Sequence, residues 1–166
     1  MTQRVELATV MDRLAIDAVI TGYAVAVDDA DWSAYKALFT PDGRADYRSA
    51  GGIEGPAAEV AGWLEEMLRM FPVRQHLIVN RRLRLEELGG YTGDSAEVQA
   101  DYLNPMRLER GAVAGPGDDG AAPNFVTGGR YTFGLRRAEG SDWQVHRVAV
   151  HEKWRRTDLG RGTGTG

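Results

Sequence analysis

Three histidines carry most of the acid–base potential of this chain: His76, His146 and His151. Histidine is the side chain whose ordinary pKa lies near neutrality. To work on a substrate its ring needs a partner that fixes which nitrogen holds the proton. Asp28 is the acid best placed to supply one. It closes the uncharged run Tyr23-Ala-Val-Ala-Val27, one residue before the chain must turn through Asp29-Ala-Asp31-Trp32. A carboxylate at the C-terminal end of a helix opposes the helix dipole, at a cost of about 0.3–1 kcal/mol. A break with a local rule of this kind points toward function. Asp28 is therefore expected to face a pocket and to meet His76, whose imidazole could then take a proton from carbon or oxygen and return it elsewhere. The plain alternatives are a helix-terminal acid and a satisfied structural histidine.

Tyr23, Tyr47, Tyr102 and Tyr131 all fall inside expected elements. A buried phenol ordinarily packs in the core and finds one hydrogen-bond partner. Two phenols in one cavity could also polarise a carbonyl or hold a water. Asn104, on the face of Tyr102, offers a neutral donor, or else simply ends a strand before Pro105. His151, beside Glu152, could line the mouth of a pocket or make a surface pair. His146 precedes Arg147 and could face solvent.

Other chemistries fit poorly. There is no cysteine, so disulfides, thiolate metal sites and a cysteine nucleophile are excluded. Gly51-Gly52 and Gly89-Gly90 lack the strand–glycine–helix setting of a phosphate loop. No Gly-x-Ser-x-Gly elbow occurs. The histidines lack zinc-motif spacing, and no metal is expected. The net charge of −4, with scattered Lys and Arg, argues against a nucleic-acid surface. Residues 1–6 contain no apolar signal core, and no run is long enough to span a bilayer, so a cytoplasmic protein is the default expectation.

These groups need a scaffold. A chain of 166 residues suits one domain, able to bury roughly 70% of its unfolded surface. Leu7, Val10, Met11, Leu14, Ala18 and Thr21 recur at helical steps, with Ile16, Ile20, Ala24 and Val27 on an adjoining stripe. That predicts a helix from about Val5 to Asp29, covered on more than one side. Asp31 reads as the N-cap of a short helix, Trp32 to Phe39, with Trp32, Tyr35 and Leu38 inward. Thr40-Pro41-Asp42-Gly43 reads as a turn and Arg44 to Arg48 as a short strand. After a loop over 50–56, Pro56 opens a third helix whose stripe runs from Val60 to Phe71 and which Pro72 ends. The period then changes to two. Val73 to Glu87 reads as one long strand, with His76, Ile78 and Asn80 on one face. A turn at 89–94 leads to a strand from Ala96 to Glu109. A Gly- and Pro-rich loop at 111–124 is expected to be mobile. Phe125–Arg137 and Trp143–Arg155 form a hairpin across 138–142. The expected domain covers 1–156, followed by a disordered Gly-rich tail at 157–166. Helices followed by antiparallel strands argue for an α+β fold, a strongly curved and mainly antiparallel sheet wrapped on three helices as an open cone.

The order of motifs resembles the SnoaL-like branch of the NTF2-like superfamily across about residues 5–156. It is carried by Asp28-Asp-Ala-Asp31-Trp32, Leu38-Phe-Thr-Pro41-Asp-Gly-Arg-Ala-Asp-Tyr47, Arg74-Gln75-His76, Gly128-Gly129-Arg130-Tyr131 and the strand from Trp143. Within it the chain is similar to scytalone dehydratase, hexachlorocyclohexane dehydrochlorinase and bile-acid 7α-dehydratase. The resemblance implies an acid–histidine dyad at Asp28 and His76. It implies a tyrosine at Tyr47 that holds water or a substrate carbonyl, and another at Tyr23. From the residues themselves, Asn104, Tyr102, Tyr131 and His151 are expected to bind the substrate. The implied activity is a cofactor-free lyase, a dehydratase-type elimination on a hydrophobic cyclic small molecule such as a polyketide or steroid-like ring. An isomerase, cyclase or hydrolase on the same scaffold, or a non-catalytic ligand-binding or assembly subunit, are the alternatives. A homo-oligomer, trimer or dimer, is expected because a bent sheet leaves a face to cover. The chain departs from scytalone dehydratase in having Val27 directly before the acid where that enzyme has a tyrosine. It also has no second pocket histidine on the strand of Tyr102, Asn104 and Met106, and it carries Tyr131 where that enzyme has a pocket asparagine.

Overall fold

The computed structural model describes residues 2–86, 94–109, 120–137 and 142–158. Most of the turn at 89–94, much of the loop at 111–124 and the tail at 160–166 lie outside them. Among the described residues the helices are α1 (Thr2–Asp28), α2 (Trp32–Ala37) and α3 (Ala57–Leu68). The strands are β1 (Phe39–Asp46), β2 (Glu54–Pro56), β3 (Val73–Arg74), β4 (Leu77–Glu86), β5 (Asp94–Arg107), β6 (Phe125–Arg137) and β7 (Gln144–Thr157). They form one sheet in the order β2-β1-β7-β6-β5-β3, with β4 also paired to β5. All neighbours run antiparallel except β1 and β7, which are parallel. The expected α+β cone, helices on a strongly curved sheet, is the fold observed.

The long strands alternate as a half-buried sheet requires. On β6 and β7, Phe133, Leu135, Val145 and Val148 turn inward and are almost fully buried. They meet Ile16, Ile20 and Tyr23 of α1 and Val60 and Leu64 of α3. Burying side chains of this size is worth about 1.5–3 kcal/mol each. The stripe of α1 that begins at Leu7 behaves differently from the sequence reading. Leu7, Val10, Met11 and Leu14 are exposed, so this part of the helix is covered on one side only.

Several boundaries also differ, each for a physical reason. Thr40–Gly43 is not a free turn; it lies within β1, where the pairing with β7 shifts register between Phe39 and Arg44. Tyr47 is not inside the strand but just past it, at the head of a single 3-10 turn over Arg48–Ala50. The segment 54–56 is a strand because its backbone closes the free edge of β1. The helix α3 stops at Leu68, before the expected stop at Pro72, and Phe71 is buried outside it. The strand expected over 73–87 is split at Gln75-His76. Opposite this gap lies Pro105, which has no N–H to give a ladder, and Gln75 N–H donates to its carbonyl at 3.1 Å. Asn80 adopts a left-handed φ of 50° at an irregularity between Val79 and Arg82 and is exposed, bonding Asp101. It does not join His76 on a common face.

Asp46 fastens the turn that carries Tyr47. Its carboxylate accepts from the Arg48 backbone N–H at 3.2 Å and from the Arg48 guanidinium at 2.7 Å. The Arg48 guanidinium holds its pKa down to about 2, from an ordinary 3.8, against the opposing effect of burial, with the Arg48 amide and Arg147 adding to the lowering. A carboxyl lowered by folding adds stability above its unfolded pKa and loses it as pH falls through its folded one. Asp46→Asn should therefore be less stable than the parent by roughly 1 kcal/mol at neutral pH. That gap should close between about pH 4 and pH 2, read from urea unfolding at stepped pH. A gap that persists unchanged at pH 2 would refute this role.

Candidate active site

Asp28 is the last residue of α1. Its carboxylate accepts from the backbone N–H of His76, at 2.9 Å to Oδ2 and 3.1 Å to Oδ1. The same carboxylate lies 2.6 Å from His76 Nδ1. The strand break explains the first pair of contacts, since an N–H within a regular ladder would be spoken for. A carboxylate only accepts, so in the neutral ring Nδ1 carries the hydrogen and Nε2 keeps the basic lone pair. The His76 ring is 8% exposed and lines a cavity of about 370 Å³.

Arg74 holds the other side of Asp28. Its guanidinium donates to the Asp28 carbonyl at 3.2 and 3.4 Å and to the Leu68 carbonyl at 2.9 Å. One cation thus satisfies carbonyls at the C-terminal ends of both α1 and α3, where positive charge is favoured.

The sheet register lays out the floor of the cavity. Arg74 pairs with Met106 and Leu77 with Leu103, which puts His76 opposite Asn104. Asn104 pairs with Thr127, and Thr127 with Arg155. All four of these side chains line the cavity, as do Tyr47, Tyr102 and Tyr131. The walls are apolar, with Trp63, Met67 and Met70 on one side and Phe125, Met106 and Leu108 on another.

The phenols are held by one another. Tyr23 is fully buried and does not line the cavity; its hydroxyl bonds that of Tyr47, which does. Its ring meets Tyr131 and Phe133 edge-on at 5.6 and 5.2 Å. Tyr47 stands against Trp63 at 6.0 Å. Burial, then the Tyr131 phenol, pushes the Tyr47 hydroxyl well above its ordinary pKa. Tyr131 is also raised, by burial and then by Tyr102 and the charge of Asp28, with Asn104 as a hydrogen-bond donor working against this. Tyr102 is pushed up to about 12, by burial and then by Glu152. All three therefore stay protonated near neutrality and can donate.

At the mouth, Arg155 bonds Glu152 at 2.6 and 2.9 Å and the Ala50 carbonyl at 3.2 Å. Its guanidinium also lies 5.8 Å from the Phe125 ring centre. His151, expected among the pocket residues, is exposed and does not line the cavity. The inward residues of β7 are Val148, Val150 and Glu152, so alternation turns His151 outward. That same alternation was the signal for Glu152, which the sequence reading passed over. His146 is also away from the cavity, 3.7 Å from Asp42. Among the described residues, no group of three or more His, Cys, Asp or Glu could hold a metal ion, and no helix is long and apolar enough to cross a membrane. What the arrangement offers chemically is one oriented base, several phenolic donors and low-dielectric walls, suited to moving a proton next to a carbonyl.

Comparison with known proteins agrees with this architecture. Over 100 residues the chain is 34% identical to uncharacterized proteins of Mycobacterium tuberculosis and Mycobacterium bovis. That stretch covers 60% of this chain and 64% of each relative, short of two thirds of their length. Among solved structures, a Novosphingobium aromaticivorans protein provisionally described as a scytalone dehydratase superposes with a TM-score of 0.69 at 16% identity, covering 100% of this chain and 99% of that one. Hexachlorocyclohexane dehydrochlorinase LinA-type3 of Novosphingobium barchaimii gives 0.70 at 16% identity, with 97% and 99% covered. An NTF2-like superfamily protein of Salmonella enterica gives 0.63 at 18% identity, with 95% and 99% covered. At such identities the likeness establishes fold alone. The family model for the SnoaL-like domain matches residues 8–149, and the chain belongs to that family.

Proposed function

We propose that this protein is a lyase that eliminates water from a hydrophobic cyclic hydroxy-carbonyl compound. The observation that carries the reading is the 2.6 Å contact between Asp28 and His76 Nδ1 on the wall of an apolar cavity. A carrier needs the cavity but gains nothing from a buried imidazole oriented by a carboxylate. The solved relatives described as a dehydratase and a dehydrochlorinase lend support by analogy of fold.

In this scheme His76 Nε2 removes the proton next to the substrate carbonyl, and the electron pair moves into the carbonyl as an enolate. Tyr47, positioned by Tyr23, donates to that oxygen. The enolate then collapses, the carbon–oxygen bond to the β-hydroxyl breaks with its electron pair going to oxygen, and the His76 proton completes the departing water. Asp28 balances the imidazolium in between. Tyr23 is thus a positioning residue, while Tyr47 touches the substrate. Pocket walls of Trp63, Phe125 and the methionines suit a ring system such as a polyketide or steroid-like skeleton.

Two measurements address this. A double-mutant cycle of Asp28→Asn and His76→Ala, read by unfolding, should give a coupling of about 0.5–3 kcal/mol, as expected for side chains in direct contact. Turnover of 3-hydroxy-1-tetralone, followed as 1-naphthol, should fall by roughly 10² to 10⁴ in either single variant. Exchange of the α-protons of 1-tetralone in heavy water should fall in parallel. If both variants keep full turnover and exchange, the base assignment is wrong. If the parent exchanges protons without forming naphthol, the site is an isomerase.

A further inference from the structure

Asn104 presents a problem that the elimination scheme leaves untouched. It is 5% exposed, it lines the cavity, and among the described residues its side-chain oxygen has no hydrogen-bond partner. A buried amide oxygen left without a donor costs about 1–3 kcal/mol. Such orphans in native structures call for a missing partner. The Asn104 side chain stands beside the Tyr131 phenol and works against the rise that burial imposes on its pKa. Burial keeps Tyr131 protonated, so its hydroxyl has a proton to donate. The packing of the Tyr131 ring fixes the position of its hydroxyl oxygen. It is 2% exposed and packed between Tyr23, Tyr102 and Phe133, with ring centres 5.6, 4.7 and 5.4 Å away.

The pair therefore shows the cavity one acceptor and one donor side by side. The group that answers both with a single atom is a hydroxyl, which donates to Asn104 and accepts from Tyr131. A halide or an ether oxygen accepts but has no proton to give, and would leave the Asn104 oxygen orphaned. We propose that Asn104 and Tyr131 form a subsite for a substrate hydroxyl, so that the cavity selects an alcohol over the matching halide or ether. Asn104 stands opposite His76 in the sheet, where directly opposed Cβ atoms are about 4.5–5.5 Å apart. A hydroxyl held there lies on the same floor as the base, as water loss requires. This deepens the proposed lyase reading and rests on it for its chemistry, but the preference is a property of binding.

Non-reacting probes separate the two. 2-Tetralol, 2-methoxytetralin and 2-chlorotetralin share one skeleton and carry no carbonyl, so the enolate route is closed to all three, and their recovery unchanged after incubation shows that binding alone is read. Their binding is read by quenching of Trp63 fluorescence and by calorimetry. The parent protein should bind 2-tetralol roughly tenfold more tightly than either the ether or the chloride, the value of one satisfied neutral hydrogen bond. Asn104→Leu should bind all three alike, and its affinity for the ether shows that the cavity is intact. Asn104→Asp, which keeps an acceptor oxygen, should retain the preference for the alcohol if Asn104→Leu proves unfolded. His76→Ala should lose turnover yet keep the preference. Equal affinities for the three probes in the parent, failure of the alcohol to saturate it, or a preference that survives Asn104→Leu would overturn the subsite. Full activity of His76→Ala with the preference intact would instead remove the base and leave the subsite standing.

Discussion

A carboxylate at the C-terminal end of a long helix is held against the local field of that helix. Asp28 tolerates this because three groups converge on it from one short segment. Arg74 puts a cation on the helix end itself, and the His76 backbone and ring take the carboxylate oxygens. Removing a single member of such a partly buried set leaves a charge without its partners, which is far more costly than never having built it. The cavity floor depends on this knot. It fixes where α1 ends and where α3 ends, through the Leu68 carbonyl on the same guanidinium. It also breaks the edge strand at the residue whose ring must face inward.

The aromatic layer behind the floor does a different task. Tyr23, Tyr131 and Phe133 meet largely edge to face, a geometry that locks ring direction as well as burying area. Their consequence at the cavity is that Tyr47 and Tyr131 line an apolar space as fixed phenols. Burial keeps those hydroxyls protonated, so the site offers donors and a single imidazole lone pair. With mostly apolar walls around them, these contacts act at a lower effective dielectric than they would on the surface. At the mouth, Arg155 is already paired with Glu152, so the entrance presents an ion pair and not a free cation.

Membership in the SnoaL-like family determines the frame and leaves the chemistry to the residues placed in it. Much of that frame was legible in the sequence. The period change after Pro72, the alternation from 96 onward and the cap at Asp31 correspond to observed elements; Asp31 indeed accepts from the Ala34 N–H at 2.9 Å. What misled was local composition read without neighbours. Thr40-Pro-Asp-Gly43 has turn chemistry, and it sits inside β1 as the irregular stretch between two positions, Phe39 and Arg44, that pair with β7. The two apolar stripes of α1 look equivalent in sequence, and only the placement of the sheet leaves Leu7, Val10, Met11 and Leu14 uncovered. His151 and Glu152 show the reverse case, where strict alternation already contained the answer that residue type obscured.

The sequence by itself determined the inventory and order of parts: an acid misplaced at a helix end, one histidine at a strand start, phenols inside apolar runs, and no thiol. These are properties of single residues and of short periods, which a linear chain displays. Tertiary structure alone decided who meets whom. Asp28 and His76 are 48 positions apart, and Tyr23 and Tyr47 are 24 apart. Hydrogen bonds reach only about 3 Å, so such pairs exist only once the curved sheet has closed over the helices. That closure also decided that Tyr23 stands behind the cavity instead of in it, and that the Asn104 oxygen is buried with no hydrogen-bond partner among the described residues.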